Sequence, residues 1–563
     1  MRDELSRSMK DLRLAQLEQP YFISYQVREF QDVSISASSG SLLTSGENFS
    51  RMLTVELRVG DYAFDNTNFF AGPEFAFTRN RSLLGFNELP LDDNYLEFRR
   101  LLWLATDSAY KQALENLAGK RGALQNRTRA ENLPDFSKED PTQTTDGPPA
   151  GKFERSATES LVRDLSKIMG NVPDLYNSSV ALIASYSTTL YLNSEGTSYE
   201  KREPLITLAA AASTQALDGM SLDDSVDFYA RSLASLPAPD ELASRIRDMI
   251  VRLENLRKAP LLDRYNGPVL FEGRAAGEIF SAEFVPALGG RRKTLSGSPE
   301  MDSIFGRLSE SGSASFADKL GGRVLPPFLS VLDDPTISNY GNETLFASYK
   351  VDQEGVRARE TRVIENGVLK TFLTTRTPVE GVAHSSGNNR GLGPAPSNLI
   401  LVAERGLTEA GLKQQFLELV KKHGLDYGII IREIESSGRG MEEQAMAMLS
   451  AMTGRSEKGR NVLLAYKVHL DGREELVRGA RLSGMSADSF KEIVAASKSA
   501  AVYTVAQTPH FDFSMIASLG GREVSEPLAS YVVPSLLFDD LTLTKPTTET
   551  PKPPFSSPPS SAQ

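Results

Sequence analysis

Apolar and polar residues alternate from Arg51 to Val59, with Leu53, Val55, Leu57 and Val59 set against Thr54, Glu56 and Arg58. Period two predicts a half-buried antiparallel strand with one wet face. The start of the chain has a different period. Leu5, Met9 and Leu12 fall at i, i+4 and i+7, which predicts an amphipathic helix over 1–20 stopped by Pro20. A long helix is predicted from a cap at Asp93 to Ala118, with Gly119 ending it. A short helix at 157–169 follows, then strands at 179–192 and 203–214 around the turn Asn193-Ser194-Glu195-Gly196, then a helix at 239–257. Residues 121–155 are polar and rich in Pro, Asp and Thr, and are expected to form an exposed excursion from this first domain.

The stretch from Pro260 to Asn266 reads as a junction, dividing the chain into domains at 1–262 and 263–544. Beyond it short strand patterns dominate. Asn366-Gly367 lies between TRVIE and VLKTF, and Asp471-Gly472 between LAYKVHL and REELV. Both dipeptides predict type I′ hairpin turns, which need positive φ at two successive residues. Thr408 to His423 is an amphipathic helix ended by Gly424, and Lys421, Lys422 and His423 complement its C-terminal dipole. Residues 545–563 are Pro/Ser/Thr-rich and are expected to be disordered. The fold class is α+β: an antiparallel sheet with helices, then a β-rich domain.

Composition narrows the chemistry. The 563 residues exceed one ordinary core, and the net charge of −11 with pI near 5.2 argues against binding phosphate backbones non-specifically. The absence of cysteine excludes disulfides, thiolate nucleophiles and cysteine-held metals. No run of 18 apolar residues predicts a membrane-spanning helix. Met1 to Leu14 has no apolar signal core, so a cytoplasmic chain is expected, or a secreted or periplasmic one had a signal peptide been removed.

Six stretches of the second half carry a family resemblance: GPVLFEGRAAGEIF (267–280), FLSVLDDPT (328–336), DQEGVRARETRVIENGVLKTFLTTR (352–376), PAPSNLIL (394–401), DGREELVRGARL (471–482) and VVPSLLFDDLTL (532–543). Together, in this order, they resemble the TldD/PmbA family, also described as modulators of DNA gyrase. The resemblance implies an α+β N-terminal domain and a β-rich C-terminal domain. It also implies zinc-dependent proteolysis of small peptides or unfolded proteins by a heterodimer of one zinc-bearing and one metal-free subunit. The zinc subunit carries a His-Glu-x-x-x-His helix and a distant Cys. In this chain the corresponding stretch runs from Phe271 to Glu278. The two His positions fall on Glu272 and Gly277 and the general-base Glu on Gly273; a one-residue shift gives Phe271 and Ala276 at the ligand positions. Neither alignment supplies a ligand pair, and no Cys exists to complete one. The resemblance is therefore to a metal-free, PmbA/TldE-like member. No cofactor is expected in this chain, and zinc is expected in a TldD-like partner.

Other chemistry has few candidates. Zinc catalysis needs about three protein ligands and an open position. The four histidines, His384, His423, His469 and His510, are far apart in sequence. The acid clusters Asp333-Asp334, Asp352 with Glu354, and Asp539-Asp540 read as turns, and no EF-hand pattern is present. Glu272 and Glu278 are spaced by six, which does not share a helix face well. No Gly-x-Ser-x-Gly elbow occurs, and Gly454 to Arg460 lacks the Lys of a phosphate loop. The loop SSGNNRGLGPAPSN (385–398) is the first candidate to line a substrate groove. Three readings stand: a non-catalytic, peptide-holding subunit paired with a zinc-bearing chain; an autonomous hydrolase using His384, Glu272 or Glu278; and a metal-free binding or structural protein without a peptidase partner. A symmetric homodimer is the alternative assembly.

Overall fold

The computed structural model describes residues 1–14, 17–70, 86–125, 132–149, 151–170, 172–292, 295–298, 316–391, 393–434, 459–506 and 527–545, with backbone alone at 86 and 87. The helices used below are α1 (Arg2–Asp11), α2 (Tyr95–Leu124), α3 (Arg155–Gly170), α4 (Pro239–Lys258), α5 (Arg274–Ile279) and α6 (Glu409–Lys422). No helix among the described residues is long and apolar enough to cross a membrane.

The first sheet contains β1 (Pro20–Ser38), β2 (Ser41–Val59), β3 (Phe86–Glu88), β4 (Gln143–Asp146), β5 (Asn177–Asn193), β6 (Ser198–Gln215) and β7 (Ser221–Ala230). Its order is β3-β2-β1-β5-β6-β4, with β7 also paired to β6. Period-two burial decides its faces. Tyr25 sits opposite Val55, Ile35 opposite Leu182, and Leu182 opposite Leu208, so these apolar positions share one face. Helices α1 and α2 cover one end of that face and α3 and α4 the other. Each fully buried Leu or Ile there contributes roughly 1.5–3 kcal/mol. The opposite face carries Gln26, Arg28, Thr189, Tyr199, Lys201 and Glu203, and in register Arg28 faces Thr189, which faces Lys201.

The second sheet contains β8 (Tyr265–Phe271), β9 (Leu329–Asp333), β10 (Thr361–Glu365), β11 (Val368–Leu369), β12 (Asn398–Ala403), β13 (Tyr427–Ile434), β14 (Gly459–His469), β15 (Glu474–Val477), β16 (Ala480–Ser483), β17 (Ile493–Ala506) and β18 (Leu528–Thr544). Its order is β11-β10-β9-β12-β18-β16-β14-β13-β8. Strand β8 pairs with both β13 and β18, which closes β18-β16-β14-β13-β8 into a ring and removes two edges. The largest apolar cluster of the molecule fills this half.

The two halves are clasped by Arg376, which is 2% exposed. Its Nε and Nη2 donate to the Ser137 carbonyl at 3.0 and 2.6 Å, and its Nη1 donates to Glu195 at 2.6 Å. The guanidinium lies 3.8 Å from the Phe136 ring centroid and 5.3 Å from that of Phe22. Within 132–149, Asp135, Phe136, Ser137 and Thr142 are buried, with Asp135 and Phe136 each 1% exposed, while most of the other residues are exposed. Lys120 and Asp135 pair at 2.6 Å, and β4 lies parallel to β6.

Other expectations shift for local reasons. Helix α1 ends at Asp11, and Pro20 opens β1, where a missing N–H is tolerated. Helix α2 is capped by Asn94, whose side chain accepts from Glu97 N at 3.1 Å, and it continues through Gly119 to Leu124. Gly119 makes room for Phe69, whose ring would stand 3.0 Å from a Cβ there. On β2 the wet face fails at Arg58, which is 5% exposed and pairs with Asp65 at 2.9 Å. Asn366 and Gly367 have the positive φ angles of a type I′ turn. At Asp471-Gly472 Gly472 alone does, in a turn closed by Gly472 N donating to the His469 carbonyl at 2.8 Å. Helix α6 ends as expected, with Gly424 at φ +70°. The tail from 546 onward lies outside the described residues.

Candidate functional site

Strand β8 delivers Glu272, Gly273 and α5 into the junction between the halves. The residues expected at the zinc-helix positions are each held differently. Glu272 turns to Arg432, whose Nε donates to it at 2.8 Å, and Arg432 also pairs with Glu474 at 2.9 Å. Gly273 adopts φ +55° and ψ −122°, a backbone that a glutamate rarely takes. Gly277 is closed by packing: a Cβ there would stand 2.6 Å from Tyr503 Cβ and 3.3 Å from its Cγ. The shifted positions, Phe271 and Ala276, are both wholly buried in the apolar core. These residues do not fit a zinc ion. Among the described residues no group of three or more His, Asp or Glu is arranged to hold a metal.

An ionic chain lies at this place. Arg274 Nε donates to Glu278 at 2.6 Å, and the other oxygen of Glu278 accepts from Ile434 N at 2.7 Å. Arg274 also stands 5.5 Å from the Tyr503 ring centroid and 3.7 Å from Glu433. Glu433 stands 3.8 Å from Arg252, which clasps Asp224 with two bonds of 2.9 and 3.1 Å. The chain joins β7 and α4 of the first half to α5 and β13 of the second. Burial pushes the Glu278, Asp224 and Asp227 carboxyls above their ordinary range, and pushes Glu433 up to about 7. Glu272 and Glu278 thus turn to different partners and form no acid/base pair.

The other sequence candidates are dispersed. His384 is 69% exposed and its Nδ1 lies 3.4 Å from Glu139. His423 Nε2 lies 3.0 Å from Asp539, and His469 Nε2 lies 3.6 Å from Glu475. His510 is outside the described residues. Asp333 accepts from Ser397 N at 2.7 Å, Ser397 Oγ at 2.8 Å and Asn388 Nδ2 at 2.7 Å, and burial pushes it up to about 6. It thereby pins the loop 385–398, whose Ser385, Ser386, Asn388, Ser397 and Asn398 are buried. Most of that loop is therefore interior framework rather than groove wall. Asp352 likewise accepts from the backbone N–H groups of Glu354, Val356 and Asn389. Glu354 is pushed up to about 8 by burial and then by the charge of Asp352.

Residues 264–545, half of the chain, match the family model described as the PmbA/TldA metallopeptidase C-terminal domain. The chain belongs to the PmbA/TldD family. It is 40% identical over 106 residues to metalloprotease MJ0996 of Methanocaldococcus jannaschii, covering 17% of this chain and 22% of that one. It is 27% identical over 256 residues to a metalloprotease of Methanothermobacter thermautotrophicus, covering 45% of this chain and 50% of that one. The matches thus span half or less of these curated relatives. Among solved structures, a Thermotoga maritima protein named as a candidate modulator of a DNA gyrase superposes with TM-score 0.56 at 19% identity, over 93% of this chain and 96% of that one. TldE from Thermococcus kodakarensis superposes with TM-score 0.53 at 13% identity, over 93% and 97%. At such identities these two show the PmbA/TldD fold alone.

Tyr503, Glu433, Arg252 and Asp224 escaped the sequence reading. They are single residues on separate elements, and no spacing rule joins them. Arg274 lies inside the stretch expected to correspond to the zinc helix, and a cation there is the one available signal.

Proposed function

We propose that this chain is the non-catalytic, peptide-holding subunit of a PmbA/TldD metallopeptidase, pairing with a zinc-bearing chain that performs the hydrolysis. The observation that carries this reading is the closure of position 277 by Tyr503, at 2.6 Å from where a side chain would begin. An imidazole there would collide with β17, and overpacking of this kind costs about 1–3 kcal/mol. The Arg274 guanidinium near the same place is bonded to Glu278 and supplies no Lewis acid. The chain's likeness to TldE supports the same assignment at the level of fold. A peptide would be held through backbone hydrogen bonds to β-structure, which needs no catalytic side chain.

The test is to purify the full chain by itself and measure its zinc content and its hydrolysis of unfolded and short peptide substrates. The expected result is zinc far below stoichiometric and no hydrolysis, with activity appearing on addition of a family member bearing His-Glu-x-x-x-His. Stoichiometric zinc with robust activity from the chain alone would overturn the proposal.

A further inference from the structure

A second polar cluster lies on the face of the first sheet opposite its apolar face, away from α5. Arg28, Thr189 and Lys201 form one cross-strand row over β1, β5 and β6. Glu203, on the same face of β6, pairs with Lys201 at 2.8 Å and stands 3.7 Å from Arg28. Arg390, from the loop 385–398, closes the cluster from the second half. It lies 4.7 Å from the Tyr349 ring centroid, and Lys201 Nζ lies 5.1 Å from that same centroid.

The hydrogen bonding of this cluster is incomplete. Arg28 Nε, Arg390 Nε, Thr189 Oγ1 and Glu203 Oε2 are buried atoms without a hydrogen-bond partner. Thr189 is 0% exposed. Unmet buried polar atoms are few in native proteins, and four in one cluster mark a place where something else bonds. Donors outnumber acceptors there: two guanidinium N–H groups and a hydroxyl against one carboxylate oxygen. Charge has the same sign, with Arg28, Lys201 and Arg390 facing Glu203. Asp146, Asp333 and Asp352 lie within electrostatic reach, but Asp146 accepts from Gly147 N and Lys350 N, and Asp333 and Asp352 each already accept three hydrogen bonds. Burial lowers the Lys201 ammonium pKa, with Arg390 adding to the effect and Glu203 and Asp146 opposing it. Asp146 and Tyr349 also line a cleft of about 430 Å3 between β4 and residues 335–358, so open space adjoins the cluster.

We infer that Arg28, Arg390 and Thr189 form a carboxylate-binding subsite that takes the C-terminal carboxylate of a bound peptide. Guanidinium groups match a planar carboxylate, and charge-assisted bonds of this kind are the strong ones. The inference rests on the peptide-holding reading above and names the end of the peptide it recognises.

The test is calorimetric titration of the full chain with tetra-alanine as the free acid, the same peptide as its C-terminal amide, Ala-Ala-Glu-Ala amide, and inorganic phosphate. The free acid is expected to bind at least about tenfold more tightly than the amide. Arg28→Met and Arg390→Met are each expected to erase that preference, bringing the affinity for the free acid down to that for the amide. Equal binding of acid and amide overturns the inference and leaves the peptide-holding reading standing. If the Glu-containing amide binds like the free acid, the site reads acidic side chains and the terminal assignment falls. Binding of phosphate without any peptide overturns both, as does no binding at all. Circular dichroism of each variant separates loss of preference from loss of fold.

Discussion

The molecule buries two ionic clusters between its halves, and they are built on opposite terms. Around α5, Arg274 and Arg252 make hydrogen bonds of 2.6–3.1 Å to Glu278 and Asp224, and Glu433 sits between them. Across β1, β5 and β6, Arg28 reaches its carboxylate at 3.7 Å and its Nε bonds to nothing. The first arrangement is closed and serves the fold. The second has bonding capacity left over and serves a ligand. Charge alone does not distinguish them; the count of met and unmet hydrogen bonds does.

Removing one cation from each cluster tests that contrast most strongly. Arg274→Met strands Glu278, which is 5% exposed, without its counter-charge. It should cost about 2–3 kcal/mol in urea denaturation, less than the 3–5 typical of a fully buried pair because Arg274 keeps some solvent contact. A loss below about 1 kcal/mol would put the two clusters in one class.

The intermediate effect is one of pH. Glu433 titrates near 7 in the folded chain, raised by burial, against about 4.3 for a free glutamate. The folded state then holds the proton more tightly than the unfolded state, so this residue's contribution to stability falls as pH rises between those values. Glu433→Gln should therefore raise Tm relative to the parent above pH 7, with the difference vanishing below about pH 4.5. A pH-independent difference would contradict the assignment.

The smallest effect is expected at Arg28→Met. Its guanidinium makes no close bond, and Glu203 keeps Lys201 at 2.8 Å. Stability should change by less than about 1 kcal/mol in either direction, measured by the same denaturation. A large loss would mean that Arg28 holds the sheet together rather than waiting for a ligand.

How much of this was readable from sequence depended on distance along the chain. The alternation at 51–59 and the Asn366-Gly367 hairpin were legible because period and turn chemistry act between neighbours. So were the residue types at 272, 273 and 277. The backbone at Gly273 and the approach of Tyr503 to Gly277 were not, because they depend on where α5 and β17 meet. The same limit hid the second cluster. Arg28, Lys201 and Arg390 are ordinary isolated cations until sheet register and the loop 385–398 bring them together. The burial of Phe136 within 121–155 has that origin too, since its ring packs against Arg376.

Arg376 has a consequence for recombination. Its guanidinium belongs to the second half, and all its side-chain hydrogen bonds given above lie in the first, at Ser137 and Glu195. A chimera that joins this chain's second half, at the junction near 262, to a first half without counterparts of Phe136 and Glu195 would transplant a buried cation without its receptor. The exchangeable unit is therefore not a contiguous half. It is the second half together with the segment carrying Phe136 and Ser137 and the turn carrying Glu195, and grafts that respect that set should fold where simple swaps do not.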